Sequence, residues 1–115
     1  MGIRSDVGIA LKSELCKKAM LLPIELLRDS DLCLRHQEGS LFVWEDIKWY
    51  IDNKEIATLY KLLKDSPLDQ YLVVEACHDY PEAGNNRGLW TDNPWNLCKT
   101  LTVALQYEKV GIDEE

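Results

Sequence analysis

Glu45 and Asp46 stand side by side between Trp44 and Trp49, and Glu75, His78 and Asp79 follow further along the chain. Carboxylates and an imidazole are the groups that hold a hard divalent ion or pass a proton, so these five residues define the enzymatic alternative, a metal-assisted hydrolase. Cys77-His78-Asp79 has the residue types of a nucleophile with its base and orienter. Neighbours on a strand face opposite ways, however, and cannot bond in triad order. The same alternation weakens a zinc site built from Cys33, His36, Cys77 and His78. Nothing in the spacing brings the acids together, so no catalytic residue, metal or cofactor is assigned.

Recognition is the better supported chemistry. Asp79 to Leu97 is a long stretch rich in Gly, Asn, Pro and Asp, and loops of that length inside a compact domain are often functional. It carries Trp90 and Trp95, which either pin the loop to the domain, display an anchor to a partner, or wall a small-ligand pocket. Gly84-Asn85-Asn86-Arg87-Gly88 follows neither a P-loop nor a dinucleotide pattern. The partner-binding residues expected from the sequence are Glu45, Asp46, Arg87, Trp90, Asp92 and Trp95.

Composition narrows the partner. The chain has 115 residues, 46% hydrophobic and 29% charged, which suits one domain with one core: residues 1–110, followed by a frayed acidic tail at 111–115. Twenty acidic against thirteen basic side chains give a net charge of −7, which repels phosphate backbones and disfavours nucleic acid. The two signs are interleaved, as on an ordinary soluble surface, rather than gathered into the acidic ridge of a DNA mimic. No apolar run approaches the roughly 18 residues of a membrane span. The start lacks a signal-peptide layout, and Asp6 stands where a myristoylation motif takes Ser or Thr. A cytoplasmic protein with four reduced cysteines is expected.

The elements that must hold these residues follow from periodicity. Ile3 to Lys12 alternates, with Val7, Ile9 and Leu11 on one side and Asp6, Gly8 and Ala10 on the other, so something can approach the small-residue side closely. Ser13 is the expected N-cap of a helix over about Glu14 to Leu21, and Pro23 to Arg28 is a further turn or helix. Leu32 to His36 is a strand, and Gln37 to Ser40 a hairpin connection to the central strand, Leu41 to Ile51.

In that central strand, strict alternation would bury Glu45, which costs several kcal/mol on the scale of an unpaired buried charge. An extra residue bulging out at Glu45 or Asp46 instead puts Phe42, Trp44, Ile47 and Trp49 on one face and turns the acids outward. Asp52 with Glu55 resembles a capping box, and Ile56, Leu59, Tyr60 and Leu63 form a helical stripe. Tyr71 to His78 is a strand, and Lys99 to Glu108 closes the fold with Leu101, Val103, Leu105 and Tyr107 facing in.

The order β-α-β-β-α-β-β predicts an α+β fold, a ferredoxin-like split βαβ arrangement with a largely antiparallel sheet and two helices on one face. The opposite face is open unless a loop or a second copy covers it, and a homodimer seam there is the second partner expectation.

Met-Gly-Ile-Arg-Ser-Asp-Val at the start, Val-Trp-Glu-Asp-Ile-Lys-Trp-Tyr in the middle, and Tyr-Leu-Val-Val-Glu-Ala-Cys-His-Asp-Tyr followed by Asp-Asn-Pro-Trp resemble a family of small proteins of tailed bacteriophages and prophages. Its members typically open Met-Gly-Tyr-Arg-Ser-Asp/Glu-Val and carry a Trp/Tyr-Asp-Asp-Ile/Val-Lys-Trp-Tyr core. The resemblance covers most of the chain, with Ile3 and Ala76-Cys77-His78-Asp79 as departures. It implies no catalytic residues. It implies a setting, the cytoplasm of an infected or lysogenic bacterium, and an accessory protein that acts by binding a host or defence protein.

Overall fold

The computed structural model describes residues 4–78, 85–99 and 104–113. The expectations for Ile3, Asp79, Leu101 and Val103 lie outside the described residues. The fold is α+β. Among the described residues, six strands form one antiparallel sheet in the order β5-β4-β1-β3-β2-β8, where β1 is Ser5–Lys12, β2 Leu32–His36, β3 Gly39–Ile47, β4 Tyr71–Cys77, β5 Asn85–Gly88 and β8 Ile112–Asp113. Two helices, α1 (Ser13–Met20) and α2 (Lys54–Lys64), follow β1 and β3, and β6 (Cys98–Lys99) pairs with β7 (Leu105–Gln106) in a separate ladder.

Alternation along β1 divides the core. Val7, Ile9 and Leu11 face the helices, where Leu15 and Ala19 of α1 and Ile56, Leu59, Tyr60 and Leu63 of α2 join Phe42, Trp44, Tyr71 and Val73. The α2 stripe is therefore buried as its spacing predicts. Gly8 and Ala10 face the other way, beside Leu41, Val43, Leu72 and Val74. That second face is not open. Trp90, Trp95, Leu97, Leu105 and Tyr107 cover it, and a Cβ on Gly8 would lie 2.6 Å from a Leu97 methyl. The homodimer seam expected on an open face is corrected by this cover: the chain supplies its own apolar lid, and the small residues of β1 make room for it.

The bulge in the central strand is present. Ser5 pairs with Ile47 and Val7 with Trp44, so β3 carries one residue more than β1 across this step. Phe42, Trp44 and Trp49 all reach the helix-covered core with Ile47 packed against it, while Glu45 and Asp46 are exposed. Trp44 then donates from Nε1 to the carbonyl of Leu26 at 3.1 Å, tying the turns after Pro23 to the sheet. Gly39 opens β3 against Lys12, and a Cβ there would lie 2.1 Å from the carbonyl oxygen of Leu11. Backbone contact this close admits only glycine.

Several boundaries differ. The strand ends at Ile47, before Trp49 and Ile51. Ser13 is the first helical residue rather than the cap; Lys12 precedes α1 without a side-chain cap. Asn53, not Asp52, caps α2, accepting from the amides of Glu55 and Ile56. Leu68–Gln70 forms a 3-10 turn before β4. The long loop contains β5, an added edge strand. Of the closing strand expected over Lys99 to Glu108, the described residues show Lys99 in β6 and Leu105–Gln106 in β7, paired antiparallel, and residues 112–113, expected to fray, pair with Leu34 and Arg35 of β2. Among the described residues, no helix is long and apolar enough to cross a membrane.

Candidate functional site

The bulge creates the first constellation. Asp46 has φ 53, in the left-handed region that Asp tolerates better than most residues. Its amide donates to Asp6 Oδ1 at 2.9 Å, and Arg4 donates from Nη1 to its carbonyl at 2.9 Å. Asp6 Oδ1 also accepts from His78 Nε2 at 2.8 Å, and His78 Nδ1 lies 3.6 Å from Asp46 Oδ1. The amide of His78 donates to the carbonyl of Arg4 at 2.9 Å. One end of the sheet thus gathers Arg4, Asp6, Asp46 and His78 from beside or within three neighbouring strands. Asp6 satisfies an otherwise unpaired bulge amide, so its carboxylate has a structural task.

Of the four described residues of the enzymatic alternative, Asp46 and His78 meet, while Asp79 lies outside the described residues. Glu45 is exposed, and its amide is held by Asp31 Oδ2 at 2.6 Å. Glu75 faces the helices, where it accepts from the Tyr60 hydroxyl. Among the described residues, no group of three or more His, Cys, Asp or Glu is arranged to hold a metal ion.

Tyr60 anchors the second constellation. Trp49 donates from Nε1 to the Tyr60 oxygen at 2.7 Å, Tyr60 donates to the Glu75 carboxylate, and the Arg87 guanidinium lies 4.7 Å over the Tyr60 ring centroid. Burial first, then the negative charge of Glu75 and the hydrogen bond to it, push the phenol well above its usual range; Trp49 and Arg87 pull the other way. The unfolded chain releases this proton near pH ~10 while the folded chain keeps it, so the associated stability is complete below that pH and is lost as pH rises toward the folded value. Alkaline titration of the native protein followed by phenolate absorbance is expected to show an increment from Tyr60 that appears only as the fold is lost. Tyr60→Phe removes that late increment; its persistence would assign the increment elsewhere.

Trp90 and Trp95 are 3% and 0% exposed, their rings meeting edge to face at 5.8 Å. Their expected role as partner anchors is therefore corrected: both pin the loop. Both indoles belong to the core cluster on the second sheet face, packed with Leu41, Val43, Leu72 and Val74. Asn93 holds the turn between them. It is 2% exposed, donates from Nδ2 to the Trp90 carbonyl at 2.8 Å, and accepts on Oδ1 from the amides of Trp95 and Leu97. Asp92 is exposed in the same turn.

Two residues not singled out from the sequence are exposed leucines close to Arg87. Leu68 and Leu89 are 53% and 62% exposed, and the Leu89 amide donates to the Leu68 carbonyl at 2.7 Å. They adjoin a hollow of about 290 Å3 lined by Tyr60, Leu63, Lys64, Leu68, Tyr71, Arg87 and Gly88. Gly88 has φ 87, and a Cβ there would lie 2.2 Å from the Tyr71 carbonyl oxygen, so glycine is what lets β5 turn down onto β4 here. The run Arg87-Gly88-Leu89 was a usable signal; the approach of Leu68 was not visible, because it depends on the β4–β5 pairing. Comparison of the chain with protein-family models, with curated proteins and with solved structures gives no match.

Proposed function

We propose that this is a small accessory protein of phage or prophage origin that works in the bacterial cytoplasm by binding a host or defence protein, without turnover. The observation that carries the reading is the rim of β5: Leu68 and Leu89 stand in water beside Lys64 and Arg87, around a hollow whose lining contains no carboxylate. In a chain of net charge −7 this is a place where cations and apolar area coincide. Such a combination suits an acidic, leucine-rich segment of a partner, the apolar side chains supplying affinity and the charges register and encounter rate. Among the described residues β5 is also an edge strand of the sheet, the kind of element to which a partner strand can add. We read the strand order β4-β1-β3-β2, with a helix after β1 and after β3, as a ferredoxin-like split βαβ arrangement extended at both edges.

Arg87 is retained from the expected contact set, while the buried tryptophans are replaced by Leu68 and Leu89. The test is capture of a partner from the bacterial host by the wild type and by Arg87→Glu with Leu89→Asp. Loss of capture by about tenfold or more is expected, on the scale of a hot-spot charge and apolar contact, with the circular dichroism unchanged. A folded double variant that holds the partner as tightly as wild type would overturn the placement.

A further inference from the structure

We propose that the buried row Trp44, Trp49 and Tyr60 is a one-electron relay: a small oxidising radical takes an electron from Trp49, Tyr60 refills it while giving its phenolic proton to Glu75, and an enediol reductant in the adjoining hollow discharges the resulting phenoxyl. The row is continuous. Trp44 and Trp49 lie 4.9 Å apart between ring centroids and Trp49 and Tyr60 6.2 Å apart, with Trp49 Nε1 donating to the Tyr60 oxygen at 2.7 Å. Trp49 is the most exposed of the four indoles, at 8%, so an oxidant arriving from water meets it first. The exits differ as well. Trp44 and Trp95 donate to the backbone carbonyls of Leu26 and Val110, which are not bases, whereas Trp49 leads to a phenol that itself donates to a carboxylate.

Charge sets the direction of transfer. Loss of one electron leaves an indole radical cation at Trp49, with Tyr60 between it and the Glu75 carboxylate. Moving one electron from Tyr60 to Trp49 and one proton from Tyr60 to Glu75 turns these separated charges into three neutral groups: an indole, a phenoxyl and a carboxylic acid. Away from water that neutralisation is favourable. Burial penalises the phenolate, which is why Tyr60 keeps its proton far into alkali, but it does not penalise a neutral phenoxyl. The Arg87 guanidinium over the Tyr60 ring opposes positive charge on that ring, so the proton must leave with the electron. Discharge balances in the same way: the enediol gives one electron, Glu75 returns the proton to the phenol oxygen, and the oxidised enediol releases a proton of its own to water. Tyr60 lines the hollow of about 290 Å3 beside β5, which gives a small reductant access to its ring. The relay uses that wall but needs no partner protein, and so does not depend on the partner reading.

Pulse radiolysis of the full chain in azide buffer supplies the azidyl radical as oxidant, and absorbance separates indolyl from phenoxyl. Phenoxyl formed promptly reports direct attack on exposed tyrosines such as Tyr50; the relay is read from phenoxyl that grows as indolyl decays. In the wild type that step is expected to be first order and independent of protein concentration, and ascorbate is expected to speed phenoxyl decay in proportion to its concentration. Tyr60→Phe, which keeps the ring, is expected to remove most of the delayed phenoxyl. Glu75→Gln, which keeps the shape and an acceptor oxygen but not the base, is expected to slow the transfer about tenfold or more. Circular dichroism identifies the folded variants. An indolyl decay that scales with protein concentration, a phenoxyl indifferent to ascorbate, a full delayed yield in folded Tyr60→Phe, or an unchanged transfer rate in folded Glu75→Gln would each overturn the proposal, and the first two are read on the wild type alone.

Discussion

Replacing Trp95 with alanine is expected to lower the free energy of unfolding by about 3–5 kcal/mol, the range for large aromatic truncations in a core. The indole is fully buried, meets Trp90 edge to face, lies 6.2 Å from the His36 ring, and donates from Nε1 to the Val110 carbonyl at 2.7 Å. It therefore joins three parts of the chain: the turn before β6, the end of β2 and the segment leading to β8. Urea unfolding followed by circular dichroism measures the loss. Trp95→Phe keeps much of the apolar volume and removes the donor, so it is expected to cost less than half as much. A loss below about 1 kcal/mol for Trp95→Ala would mean that the lid is a passive cover whose removal the sheet tolerates.

The second large effect is expected at Asn93. Leucine has nearly the same size, but Asn93→Leu leaves the amides of Trp95 and Leu97 and the carbonyl of Trp90 without the partner they have now. Each buried orphan costs about 1–3 kcal/mol, so a total of about 3 kcal/mol or more is expected even where water reaches part of the turn. Hydrogen exchange gives the discriminating measurement: the Trp95 and Leu97 amides lose protection before those of β1 if Asn93 organises the lid locally. Because Asn93 holds the backbone amide of Trp95, and with it the position of the indole, the double variant is expected to lose less than the sum of the two single variants. Strict additivity would show that the turn and the indole act independently.

Much of the framework was legible because single residues left little choice. Glu45 could not be buried, which forced the bulge; the stripe from Ile56 to Leu63 fits only a helix; Gly8 and Ala10 announced a close approach. The parts that were not legible depend on distant pairing. Asn85-Asn86-Arg87-Gly88 has no β-branched or aromatic residue, and it is a strand because the edge of β4 is available to it. Ile112–Asp113 is too short to show periodicity and takes its geometry from β2. Asp52 and Asn53 are equally good caps by type, so the choice between them belongs to the backbone. At the candidate site, Asp6 stood out only as a carboxylate on the Gly8–Ala10 side of β1. Its meeting with Asp46 and His78 required the registers of β1 with β3 and β4. The exposed Leu68–Leu89 contact was hidden for the same reason.

The lid on the second sheet face is encoded late in the chain, and this sets an order of events during synthesis. When β1 to β4 have left the ribosome, Leu41, Val43, Leu72 and Val74 can already be aligned, yet the residues that shelter them, Trp90, Trp95, Leu97 and Leu105, are still to be delivered. At about 5–20 residues per second, the nascent sheet presents a sticky aliphatic surface for a second or more, and that interval is when chaperone capture or premature self-association competes with closure.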